Sequence, residues 1–146
     1  MDLDDLDRVA AADSYLAVVA TTRADGSVQA SVVNAGLLDH PTTGERVAAF
    51  VTYGRVKKAN LRERPRATLV WRAGWQWAAV EGTVELAGPD DPLPGLSGDG
   101  VQRLLRDVFV AAGGSHDDWP AYDEAMARER RAAVLVSPER VYSNTR

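Results

Sequence analysis

Short apolar runs separated by turn signals dominate the chain, and each reads as a β-strand. "YLAVVATT" (15–22) and "VQASVVNAGLL" (28–38) flank a turn at Asp25-Gly26, which is a hairpin signal. After the loop "HPTTGE" (40–45) comes "RVAAFVT" (46–52), a third strand; "RATLVWR" (66–72) and "WQWAAVEGTVEL" (75–86) are the fourth and fifth, joined at Ala73-Gly74. "AAVLVSPERVYS" (132–143) closes the series, with an interruption expected near Pro138. Other segments follow a helical period. Leu3, Leu6, Val9 and Ala10 mark a helix over 4–12 whose acids lie toward its start, where the helix dipole favours them. A short helix is expected after Thr52 and ends by Pro65; two more are expected over about 100–112 and 116–130, the latter opened by Ser115 and Asp118 at capping-box spacing. The Pro- and Gly-rich stretch 87–100 is a surface connection.

Six β-segments in hairpin order with helices at the edges predict a mainly β, α+β fold: a six-stranded antiparallel barrel, because closure removes exposed sheet edges. An open α+β sandwich is the alternative. At 146 residues the chain is the size of one domain.

Charge changes the picture locally. Seventeen Lys and Arg against 21 Asp and Glu give a net charge of -4, which disfavours nucleic acid and anionic membrane as partners. Yet six basic residues fall within the twelve positions from Arg55 to Arg66, and the chain's two lysines, Lys57 and Lys58, are both among them. A solvated helix face is the ordinary meaning of such a run. Here, however, Arg55, Lys57 and Lys58 fall on the first helical turn directly after a strand, beside free backbone N–H groups, and that arrangement suits an anion such as phosphate. Thr52 at the strand end offers a hydroxyl to the same group. Arg62, Arg64 and Arg66 lie further on and are expected to be solvated or paired with acids.

Other chemistry is missing. There is no cysteine, which excludes disulfides and thiol catalysis. His40 and His116 lack second ligands at metal spacing, and "GLSGDG" fails the nucleophile-elbow pattern at Asp99. Neither a dinucleotide-binding glycine fingerprint nor a P-loop occurs. The acidic start lacks a signal-peptide pattern and no apolar run is long enough to span a bilayer, so a cytoplasmic location is expected. If the chain is an enzyme, a bound cofactor must supply the hard chemistry.

From "LAVVATTRADGSVQASVV" through "AAFVTYGRVKKANLRERPRATLVW" and "WQWAAVEGTVELAGPDD" to "AAVLVSPERVY", the sequence resembles the split-barrel flavin and deazaflavin proteins of the pyridoxamine 5'-phosphate oxidase superfamily, and within it the coenzyme F420-dependent branch. The resemblance implies that Thr52, Lys57 and Lys58, with Arg55 nearby, hold the cofactor phosphate. It implies that the ring system lies along Ser31, Val32, Val33 and Asn34 and along Phe50 and Val51. It also implies a homodimer with the site at the subunit interface, where an aromatic such as Trp77 covers the cofactor. Trp71, Trp75 and Trp77 surround one turn, and core or subunit packing is the simpler role for them. "RVYSN" (140–144) lacks the histidine of the vitamin B6 oxidases. The implied activity is hydride transfer from reduced F420 to a conjugated or heteroaromatic small molecule. FMN in place of F420, or a non-catalytic cofactor carrier, are the alternatives.

Overall fold

The computed structural model describes residues 1–52 and 55–144. Its elements are α1 (Leu3–Ala12), β1 (Leu16–Thr22), β2 (Val28–Asp39), β3 (Arg46–Thr52), α2 (Arg55–Glu63), β4 (Arg66–Ala73), β5 (Gln76–Ala87), α3 (Gly98–Ala111), α4 (Trp119–Arg128) and β6 (Ala132–Ser143). The strands close into a barrel in the order β1-β2-β3-β6-β5-β4, and every neighbouring pair is antiparallel. The open sandwich is therefore excluded.

Alternation along each strand sends one set of side chains into the barrel and the other set outward. Val19, Phe50, Leu69, Trp71, Val80, Val134 and Val136 fill the interior. Two helices contribute to the same core: α1 inserts Leu6, Val9 and Ala10, and α2 inserts Leu61. Trp71 is fully buried, and its indole Nε1–H donates to the carbonyl oxygen of Ala35 at 2.9 Å, which satisfies its one polar atom. A second core lies outside the barrel wall, where Val47, Ala49, Ala133 and Leu135 meet Leu104, Leu105 and Val108 of α3 and Tyr122 of α4. β6 is thus covered on both faces over Ala132–Val136, which is why "AAVLV" reads as an unbroken apolar run. Truncating a side chain as enclosed as Leu135 to Ala would cost about 2–5 kcal/mol.

Three expectations need correction. β6 continues through Pro138; the β5–β6 register shifts at Glu81/Gly82 and leaves Glu139 as the extra residue of a bulge, a position that tolerates a proline beside it. Trp75, expected to open the fifth strand, belongs instead to the β4–β5 turn and is 94% exposed. α4 starts at Trp119, three residues after the expected start: Asp118 is itself the N-cap, accepting from the backbone N–H of Ala121, with a proline in the first turn.

Candidate functional site

The barrel opens at one place. β2 pairs with β1 over Val28–Asn34 and with β3 only from Ala35 onward, so the β2–β3 ladder ends at the Ala35–Phe50 pair. Beyond it the two strands part. Val32, Val33 and Asn34 on one side and Val51 and Thr52 on the other line a cleft of about 760 Å³. Main-chain edges that a closed ladder would consume face this space, and its size is right for a multi-ring molecule.

The roof comes from α3. Gly36 of β2 lets the helix come down, since a Cβ there would stand 2.0 Å from the carbonyl oxygen of Ala111. Val108, Phe109 and Ala112 then cover the cleft, and Gly113 and Gly114 complete its rim with Ser14. Phe109 is backed by an aromatic cluster: its ring centroid lies 5.1 Å from that of Tyr122 and 6.2 Å from that of Trp119, and His116 stacks at 5.8 Å from Trp119. A roof held in this way presents a fixed apolar surface.

The charged residues of the cleft are Lys57 and Arg131, both positive. Lys57 projects from the first turns of α2, with Nζ 5.6 Å from the centroid of the buried Phe50 ring. Among the described residues no acid pairs with it, and burial pushes its ammonium below the ordinary value of 10.5. Arg131 is tied at 2.8 Å to Glu129. Thr52, nearly buried at the strand end, brings a hydroxyl to the same region. This is the chemistry of an anion site at one end of an apolar slot. Among the described residues no carboxylate or imidazole lines the cleft, and no group of three His, Cys, Asp or Glu side chains is placed to hold a metal ion.

The structure therefore brings together Val32, Val33, Asn34, Val51, Thr52 and Lys57, and separates the other sequence-predicted residues from them. Ser31 points into the barrel, where its Oγ is buried without a partner. Phe50 is fully buried and meets the site only beneath Lys57. Lys58 is 8% exposed and donates to the carbonyl oxygen of Arg130 at 3.3 Å. It lies with Arg55 in a different, basic depression that also holds Arg62, Arg128 and Arg130. Arg62 pairs with Asp91 and Arg66 with Glu139, as expected, whereas Arg64 donates to Asn60 and to the Thr22 carbonyl and not to an acid. Tyr53 and Gly54, between Thr52 and α2, lie outside the described residues. Sequence reasoning missed Ser14, Phe109 and Arg131. The Gly113-Gly114 pair was the one local signal that chain passes closely there.

Trp77 lies elsewhere too. It joins Leu16, Val18, Val32, Val70 and Tyr142 on an open, largely apolar sheet face, its ring edge-on to Tyr142 at 6.0 Å. Val32 belongs to both surfaces, so this face is continuous with the cleft.

Solved structures of the same architecture are known. A conserved hypothetical protein of Mycobacterium tuberculosis superposes with a TM-score of 0.69 at 19% identity, over 98% of this chain and 84% of its own. A protein described as an F420 reductase gives 0.57 at 20% identity, over 88% of this chain and 90% of its own. A pyridoxamine 5'-phosphate oxidase-related, FMN-binding protein of Nostoc punctiforme gives 0.62 at 13% identity, over 98% and 86%. At these identities the likeness is one of fold. The family match reaches further, because it takes in residues 6–145 and with them the barrel, its opening and the helical roof: this chain belongs to the pyridoxamine 5'-phosphate oxidase family, and its barrel is the flavin-binding fold of that family.

Proposed function

We propose that the chain is an F420-dependent oxidoreductase that works as a homodimer of single-domain subunits and acts on a conjugated or heteroaromatic small molecule. The observation that carries this reading is Lys57, an unpaired, half-buried cation at the end of an apolar cleft beside the Thr52 hydroxyl. Such a cation is suited to a phosphate group, and the apolar slot between Val32 and Phe109 suits a planar ring system. The choice of the deazaflavin rests on the resemblance of "GWQWAAVEGTVELAGPDD", with the helix pair after it, to the F420 branch. The bound cofactor would supply the hydride.

This chain's own residues bind, orient and exclude water. Lys57 and Thr52 anchor the phosphate end. Val32 and Val33 on one wall and Phe109 and Ala112 on the roof would hold the ring system between them. With no carboxylate or imidazole among the described residues of the cleft, the protein's contribution is positioning. A second copy seated on the Leu16, Val18 and Trp77 face would reach the cleft through Val32 and finish its outer wall.

FMN is the second reading, favoured by the fact that Thr52 and Lys57 address a phosphate that both cofactors carry. Steady-state turnover of reduced F420 with a panel of conjugated acceptors tests the proposal. Turnover with F420 supports it; tight cofactor binding without turnover on any acceptor points to a carrier instead.

A further inference from the structure

Among the described residues eight have a left-handed backbone φ, and five of them are glycines. The exceptions are Arg130 at +50° and the consecutive pair Ser14 at +57° and Tyr15 at +60°. That pair forms the turn from α1 into β1, a helix exit where glycine or asparagine is usual because a Cβ is sterically unfavourable there. It is clamped by four hydrogen bonds, the longest from the Ser14 N–H to the Ala11 carbonyl at 3.4 Å. The Tyr15 N–H donates to Ala10 at 2.8 Å, the Ala35 N–H donates to the Tyr15 carbonyl at 2.9 Å, and the Asn34 side-chain amide donates to the Ser14 carbonyl at 3.0 Å. From the opposite side of the cleft, Gly113, itself at +90°, packs so closely on the Tyr15 ring that a Cβ would stand 2.9 Å from Cδ2.

The clamp holds Ser14 at the mouth of the cleft, and among the described residues nothing pairs with its hydroxyl. A glycine would take this backbone conformation with less strain. What serine adds is one hydroxyl facing the cleft. Asn34, although it lines the cleft, has its amide nitrogen committed to the clamp.

We propose that Ser14 is a ligand-contacting residue whose hydroxyl bonds a polar atom on the edge of the bound ring system, and that Asn34 is a positioning residue acting through it. This rests on the reading of the cleft as a cofactor site. The test is calorimetric titration of F420 and of FMN into the wild type, Ser14→Ala, Ser14→Gly, Asn34→Ala and the Ser14→Ala/Asn34→Ala double variant, with thermal melts of each. Both Ser14 variants should bind the preferred cofactor about 3- to 10-fold more weakly, while Ser14→Gly alone melts higher than the wild type. Asn34→Ala should weaken binding by a similar factor and add almost nothing once Ser14 is alanine. Wild-type affinity in Ser14→Ala, or additive losses in the double variant, overturns the assignment while leaving the cofactor site standing. A wild type that binds neither cofactor overturns both.

Discussion

Ala35 stands opposite Phe50 as the last rung of the β2–β3 ladder, and the site begins where that rung ends. The Ala35 carbonyl is held from inside by Trp71 and its N–H by the Tyr15 carbonyl, so β2 is fixed at the point of divergence. Phe50 lies under Lys57 on the facing strand. The opening is a product of register, built into a barrel that is otherwise closed.

Lys57 should oppose folding while it promotes binding. Its folded pKa lies below that of free lysine, so the unfolded chain binds more protons in the window between the two values and stability rises with pH through that window. At neutral pH, below the window, the penalty is complete. Lys57→Met should therefore raise Tm at pH 7, and the advantage should shrink as pH climbs toward the value of free lysine. A lower Tm for Lys57→Met at pH 7 would show that the ammonium has a partner in the folded chain.

The roof depends on Gly36. With a Cβ 2.0 Å from the Ala111 carbonyl, Gly36→Ala must push α3 off the sheet, at a cost of about 1–3 kcal/mol. Because Phe109 and Ala112 move with the helix, cofactor affinity should fall together with the denaturation midpoint. A variant of wild-type stability would mean that α3 docks less tightly than described.

The Arg106–Asp123 pair joins α3 to α4. The guanidinium hydrogen-bonded to Asp123 holds its carboxyl below the ordinary carboxylate value. A depressed carboxyl pKa contributes stability that is present above the unfolded value and lost as pH falls through the folded one. Asp123→Asn should melt lower than the wild type at pH 7, and the gap should close in acid below about pH 4. Melting curves across pH 2–8 check the sign.

Leu16 at 41% and Val32 at 65% exposure are large apolar side chains on one sheet face, an arrangement expected of a covered surface. Val18→Glu, in the middle of that face, should shift sedimentation from dimer to monomer and weaken cofactor binding in parallel. A monomeric wild type at micromolar concentration that still binds cofactor would contradict an interface site.

The strands were legible because apolar runs bounded by Asp25-Gly26, "HPTTGE" and Ala73-Gly74 leave few other readings, and closure followed from their number and order. The start of α4 was misread because Ser115–Asp118 has the spacing of a capping box, whereas Asp118 caps alone. The basic pair was taken as one unit, but the structure turns the two lysines to different surroundings. Successive helix residues point about 100° apart, so Lys57 turns to the cleft and Lys58 to Arg130. Phe109, Ala112 and Arg131 reach the site through tertiary docking of α3 and the entry to β6; the glycine pair at the end of "VFVAAGG" signals a close approach but not what is approached, and "RERRAA" signals nothing of it.

On the proposed function, the cleft where β2 and β3 part holds a phosphorylated deazaflavin by Lys57. The measurement that tests it most directly is titration of F420 and FMN, by fluorescence and calorimetry, into the wild type, Lys57→Ala and Lys58→Ala. The expected result is a nearly colourless purified protein that binds F420 more tightly than FMN, a loss of at least about tenfold in Lys57→Ala, as a charge-assisted phosphate contact of about 1.5–3 kcal/mol requires, and a much smaller loss in Lys58→Ala. Tighter binding of FMN, unchanged affinity in Lys57→Ala, or an equal loss in Lys58→Ala would contradict it.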